Sequence, residues 1–319
     1  MIPVKAMARS PGEVPDDEVR PHRKASRLPT VMAALAIAVL AVAIAVVALA
    51  IASVAEWVVA ARQMNKERSM TSQHSVAVPS GVTTGDLAEV ACAKVFFGHQ
   101  SVGMNMLDGV RAVYAAHGSA APPIEDAIQP GRADGFIHHA FIGENGNPLL
   151  KIQDFGAKMR SGIGQAVNMA MMKFCYVDVN GSTDVNALFD SYRTSMAALQ
   201  REFPDVILTY VTVPLTTEPG LRAKMKRLLT GSSRSAADNS ARERLNALIR
   251  RQYAGDHLFD LAAIESTAPD GSRVAGSYQG QRYYALHDGY AADYGHLNGE
   301  GARTVATAWL KTIARASGR

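Results

Sequence analysis

The sequence predicts an α/β protein in which a mostly parallel sheet of five strands carries helices on both faces, behind one apolar segment long enough to cross a membrane. Three observations lead there. From about Asp86 onward, short β-rich runs alternate with amphipathic helical patterns, the signature of a three-layer α/β/α sandwich. Residues 31–55 (VMAALAIAVLAVAIAVVALAIASVA) carry no charge at all. The composition, 48% hydrophobic and 19% charged with 26 Gly and 14 Pro, excludes a disordered chain, a collagen-like repeat and a small disulfide scaffold.

As a helix, residues 31–55 reach about 37 Å, against a hydrocarbon core of roughly 30 Å. The segment is longer than the core of a secretory signal and follows a polar tail, so residues 31–61 read as a transmembrane signal-anchor. Cleavage after the small-residue triplet Ser53-Val54-Ala55 is the alternative. Arg20, Arg23, Lys24 and Arg27 keep the tail, residues 1–30, in the cytoplasm and send everything after about Arg62 outside it, to a periplasmic or extracellular location. Residues 62–85, rich in Ser, Thr and Gln, read as a stalk, and residues 86–319 as the folded domain. Lys and Arg number 33 against 29 Asp and Glu, an excess of +4 that is too small to argue for nucleic acid.

Along the domain the first strand is Lys94 to Phe97, and the helix behind it carries Met104, Leu107, Val110, Val113 and Tyr114 at three- and four-residue steps. The second strand lies near Phe136 to Ile142 and the third at Met172 to Val179. Thr183 then caps a helix with Val185, Leu188, Phe189, Tyr192, Met196, Leu199 and Phe203 on one stripe, which Pro204 ends. The fourth strand is Val206 to Val213, the fifth His257 to Leu261, and a last helix starts near Gly299. Loops at 116–135, 214–236 and 265–292 carry no readable signature.

In such sheets ligands bind at the carboxyl ends of the strands, where this chain is unusually polar. Strand one runs into Gly98-His99-Gln100-Ser101-Val102-Gly103, strand two into Gly143-Glu144-Asn145-Gly146-Asn147, and strand three into Asn180-Gly181-Ser182. Asp293-Tyr294-Gly295-His296-Leu297-Asn298 precedes the last helix. A hydroxyl, a glycine amide, a side-chain amide and an Asp/His pair on one rim are the parts of an acyl-transfer site. A serine hydroxyl needs a base to become a nucleophile, and His296 is the natural one. Asp293 either accepts the imidazole N–H or holds the loop that presents it.

These residues resemble the SGNH/GDSL hydrolases, whose motif blocks supply Ser, Gly, Asn and His in that order along a flavodoxin-like sheet. The resemblance covers roughly residues 94 to 312, and its most specific element is Asp293-x-x-His296 followed by Leu297-Asn298 and a helix. Block one reads GHQS where the family usually has GDS, and the third block lacks the usual Gly before Asn and Asp after it. The resemblance implies Ser101, His296 and Asp293 as the catalytic residues. Its oxyanion donors would be the amides of Ser101 and Gly143 and the side chain of Asn180, with His99, Gln100 and Asn145 lining the pocket.

It also implies a cofactor-independent serine esterase acting on acetyl or other short acyl esters of carbohydrate, or on a lipid ester, through an acyl-serine. The alternatives are O-acyl transfer to a cell-surface polysaccharide and a non-catalytic glycan-binding domain. The expected partners are a small-molecule or glycan ester and a membrane, through residues 31–61, with no nucleic acid.

Each residue also has a plainer role: Ser101 as a helix N-cap, Asp293 and His296 as a solvated turn pair, Asn180 and Gly143 as turn residues. His138-His139 alternate across a strand, so their rings cannot share one metal, and no metal site is expected. The basic run Arg222, Lys224, Lys226, Arg227 reads as a solvated face or an anion-binding loop. Cys92 and Cys175 either pair in an oxidising compartment or remain buried thiols.

Overall fold

The structure, a computed structural model, describes residues 81–127, 133–218, 234–255 and 257–318. All of these lie in the second of two units into which the chain divides, Ser75–Arg319. Among the described residues no helix is long and apolar enough to cross a membrane. The anchor expected at 31–61, the cytoplasmic tail, most of the stalk and the basic run at 222–227 fall outside them.

Helix α1 (Thr84–Cys92) opens on a capping box, in which Thr83 Oγ1 accepts the Asp86 N–H and the Asp86 carboxylate accepts the Thr83 N–H. There follow β1 (Lys94–His99), α2 (Val102–Ala116), β2 (Ile124–Glu125), β3 (Phe136–Phe141), α3 (Pro148–Lys158), β4 (Met169–Met172) and α4 (Val185–Glu202). Then come β5 (Ile207–Val211), α5 (Arg234–Gln252), β6 (Leu258–Phe259), α6 (Leu261–Ser266), a hairpin of β7 (Ala275–Tyr278) and β8 (Gln281–Tyr284), and α7 (Gly299–Ser317).

The main sheet has six strands in the order β2-β3-β1-β4-β5-β6, every neighbouring pair parallel. Without the edge strand β2, the five expected strands stand in the doubly wound order 2-1-3-4-5. The sixth lies in the segment 116–135, which showed no strand pattern because two residues are too few for one. Alternation on β1 divides the core: Val95 and Phe97 face α1, α2 and α7, while Phe96 faces α3 and α4. Burial on both faces is why strand one reads as a continuous apolar run.

Two expectations shift. The third strand, expected at Met172 to Val179, is Met169–Met172; beyond it the Asp178 carboxylate accepts the Cys175 N–H at 2.6 Å and turns the chain through a short 3₁₀ helix at Tyr176–Asp178. Asp184, not Thr183, caps α4 through the Ala187 N–H, since the Thr183 hydroxyl accepts the Asn180 N–H instead.

One close approach positions the site. A Cβ at Gly109 of α2 would stand 2.2 Å from the Ala302 carbonyl oxygen of α7, so only glycine lets these two helices meet so tightly. Their contact sets the loop before α7 beside the N-terminus of α2.

Candidate active site

Ser101 occupies the turn between β1 and α2 at the N-cap position, yet its side chain makes no capping hydrogen bond. The plainer reading of this serine as a cap is therefore not realised. Its Oγ lies 4.0 Å from Cys175 Sγ, beside the positive end of the α2 dipole.

Asp293 and His296 form one tight unit. The carboxylate accepts from His296 Nδ1 at 2.8 Å and also accepts the backbone N–H groups of Gly295 and His296, each at 2.9 Å. Both roles left open for Asp293 are thus filled at once. The backbone N–H of Gly295, then that of His296, then the imidazole hold its carboxyl down at about 2, so it is ionised at any working pH. Because a carboxylate only accepts, Nδ1 supplies the hydrogen of this contact, and Nε2 is the ring nitrogen left clear of Asp293.

The DxxH loop and the serine turn are tied together. Asn105, one helical turn beyond Ser101, accepts the Leu297 N–H at 3.3 Å through its side-chain oxygen. Tyr176, next to Cys175, packs edge-on against the His296 ring at 5.8 Å. Asn298 caps α7 through the N–H groups of Glu300 and Gly301, while its amide donates to Gly289 and Ala291, closing the loop from behind. Ser101 Oγ makes no hydrogen bond to His296, its contact being Cys175 Sγ.

The other expected residues lie differently. The Gly143 N–H is already donated to Asp154 Oδ2 at 2.8 Å. Asn180 is exposed, and its side-chain oxygen closes a turn on the Ser182 N–H and hydroxyl. Asn180 thus takes its plainer role: β4 ends at Met172, and the chain runs through the buried Lys173 to Cys175 before reaching Asn180 at the surface. The pocket role expected for His99 is corrected too, because its ring is fully buried. Gln100 is scaffold, its amide donating to the carbonyls of Ile142 and Gly143. Asn145 is exposed and accepts from Lys151 Nζ at 3.0 Å.

Sequence reasoning missed the polar groups underneath. Lys151 Nζ and Asp178 Oδ2 form a fully buried ion pair at 2.7 Å, and Asp178 Oδ1 accepts the Gly146 N–H. This pair joins the segment after β3 to that after β4. Lys173 is also fully buried, and burial pushes its ammonium pKa down. Its Nζ donates to the Phe174 carbonyl and lies 4.0 Å from Cys175 Sγ. Burial pushes the Glu265 carboxyl up to about 8. A lysine and an aspartate inside the apolar run from Met169 to Val179 were the available signal, since charges are rarely buried unpaired. Cys92 is exposed and Cys175 buried; both are free.

No family model matches the chain, and no curated protein does. Among solved structures, a Streptococcus pneumonia protein provisionally described as a platelet activating factor is 12% identical at a TM-score of 0.41, over 81% of this chain and 99% of its own. A Desulfitobacterium hafniense DCB-2 protein provisionally described as a lipolytic protein of the G-D-S-L family is 8% identical at a TM-score of 0.38, over 69% of this chain and 99% of its own. Both likenesses are too slight to bear on the site.

Proposed function

We propose that the chain is a serine ester hydrolase with Ser101 as nucleophile, His296 as general base and Asp293 as its orienting carboxylate. The observation that carries this reading is the Asp293–His296 pair, which engages Nδ1 and leaves Nε2 clear of the carboxylate, on a loop fastened to the first turn of the helix that Ser101 begins. In the reaction His296 Nε2 takes the Ser101 proton as Oγ attacks the acyl carbonyl. The tetrahedral oxyanion forms beside the Ser101 amide and the α2 N-terminus. Its collapse breaks the ester bond, the alcohol leaves with the proton held by His296, and water then frees the acid from the acyl-serine by the same exchange.

Four large apolar side chains exposed on the segments at the carboxyl ends of the strands and in the DxxH loop suit an acyl group. Phe141 ends β3, Leu149 lies in the first turn of α3, Val177 in the 3₁₀ turn after β4 and Tyr294 within the DxxH loop. Acetyl or other short acyl esters of extracytoplasmic carbohydrate remain the preferred substrates, with residues 31–61 as the anchor. A second reading, a glycan-binding domain without catalysis, draws on the engagement of the Gly143 amide and the Asn180 side chain elsewhere. Full-length chain incubated with p-nitrophenyl acetate and a fluorophosphonate, beside its Ser101→Ala variant, decides between them. Turnover and labelling that vanish in the variant support the hydrolase. A folded wild type that does neither, yet retains glycan, supports the binder. Acylated sugar in excess of free acid would mark a transferase.

A further inference from the structure

The residues before Ser101 are held by a pair of histidines that the catalytic reading does not use. His99 is fully buried at the end of β1, stacked on Phe97 at 4.6 Å and met edge-on by Phe141 at 5.4 Å. A Cβ at Gly103 would stand 2.3 Å from its ring, so the imidazole lies directly under the first turn of α2. Its Nδ1 faces the Gln100 carbonyl at 3.3 Å, and its Nε2 faces His139 Nδ1 at 3.2 Å. That same carbonyl accepts the Gly103 N–H at 2.8 Å.

The partners determine the protons. A carbonyl only accepts, so His99 Nδ1 carries a hydrogen. Burial first, then Lys173 and His139, push the His99 pKa down to about 3, so the ring is neutral and its Nε2 bears a lone pair. The hydrogen between the two rings therefore belongs to His139 Nδ1. His138, on the opposite face of β3, stacks instead on Phe96 and takes no part.

We propose that His139 is a positioning residue for the nucleophile: its Nδ1–H holds His99 in the Nδ1–H tautomer, which fixes the Gln100 carbonyl and with it the turn that aims Ser101. The role rests on the esterase reading for its kinetic consequence but not for its chemistry. Asparagine places an N–H close to where His139 Nδ1 stands, whereas glutamine places one further out and leucine has none.

The test uses full-length chain carrying His139→Asn, His139→Gln and His139→Leu, with fluorophosphonate labelling rates and ¹⁵N-imidazole spectra of His99. The expected result is a wild-type His99 protonated at Nδ1 alone. His139→Asn should keep both this signature and a labelling rate within about threefold of wild type. His139→Gln and His139→Leu should show a mixture of His99 tautomers and label roughly 10- to 100-fold more slowly, the scale of a misplaced nucleophile. A wild-type His99 protonated at Nε2 overturns the proposal whatever the variants do. So does a leucine variant with wild-type rate and tautomer, or a glutamine variant matching the asparagine one. If the wild type does not label at all, the esterase reading fails, while the His99 spectra still decide the tautomer.

Discussion

Replacing Asp293 with asparagine separates its two functions. Asparagine retains an oxygen for the Gly295 and His296 amides, each now at 2.9 Å, but puts an NH₂ or a weaker acceptor against His296 Nδ1, now 2.8 Å from the carboxylate. The loop should therefore stay folded while the imidazole loses the partner that keeps its proton on Nδ1. In a buried triad the same exchange costs about 10⁴-fold in kcat through the wrong tautomer. Here the Asp293 side chain is 58% exposed, so water replaces part of the lost interaction, and a fall of roughly 10²- to 10³-fold is expected. Fluorophosphonate labelling and p-nitrophenyl acetate turnover measure it, with Asp293→Ala falling further because the loop amides also lose their acceptor. An asparagine variant within threefold of wild type would refute the assignment of Asp293 to His296. Its carboxyl, held at about 2 below a usual 3.8, contributes stability above about pH 3.8 that is lost only as pH falls through about 2.

Cys175 Sγ is 4.0 Å from Ser101 Oγ, so Cys175→Ala should still label with fluorophosphonate while Ser101→Ala does not; the reverse pattern would make the thiol the nucleophile. Lys151→Met strands the buried Asp178 carboxylate, and urea unfolding should show a loss of about 3–5 kcal/mol; a loss under about 1 kcal/mol would mean the pair is not the clamp described. The Glu265 carboxyl is raised from 4.5 to about 8, so the folded state keeps a proton that the unfolded state has released, and its contribution to stability falls as pH rises across that window. Glu265→Gln, compared with wild type at pH 5 and pH 8 by thermal unfolding, should remove that slope, and an unchanged slope would show that Glu265 is not its source. Asn105→Leu frees the Leu297 N–H and should slow labelling about tenfold with little change in melting temperature; unchanged labelling would mean that the DxxH loop holds itself.

What local patterns report, the sequence disclosed. The continuous apolar run from Val95 to Phe97 announced a strand buried on both faces, and the stripes of α2 and α4 announced helices against it. Asp293-x-x-His296 was legible because three residues suffice to bring a carboxylate to an imidazole across a turn. The edge strand Ile124–Glu125 was not, because two residues show no alternation and the strand is defined by its parallel ladder to β3.

The engagement of Gly143 and Asn180 was hidden for a related reason. Whether an amide is free depends on what else reaches it, and Asp154 reaches Gly143 from a helix that no motif marked. The early end of β4, which sends Asn180 outward and brings Cys175 beside Ser101, goes with Asp178 turning back on the Cys175 N–H and pairing with Lys151 of α3. The His99–His139 contact likewise exists only because β1 and β3 lie side by side in register. The sequence by itself determined four of the six strands of the main sheet, the helices α2, α4 and α7, the order of the candidate catalytic residues and the acid–base pair within one turn. Tertiary structure alone decided which of the remaining polar groups are spent on one another and which are left for a substrate, because hydrogen-bond saturation is settled between segments rather than within them.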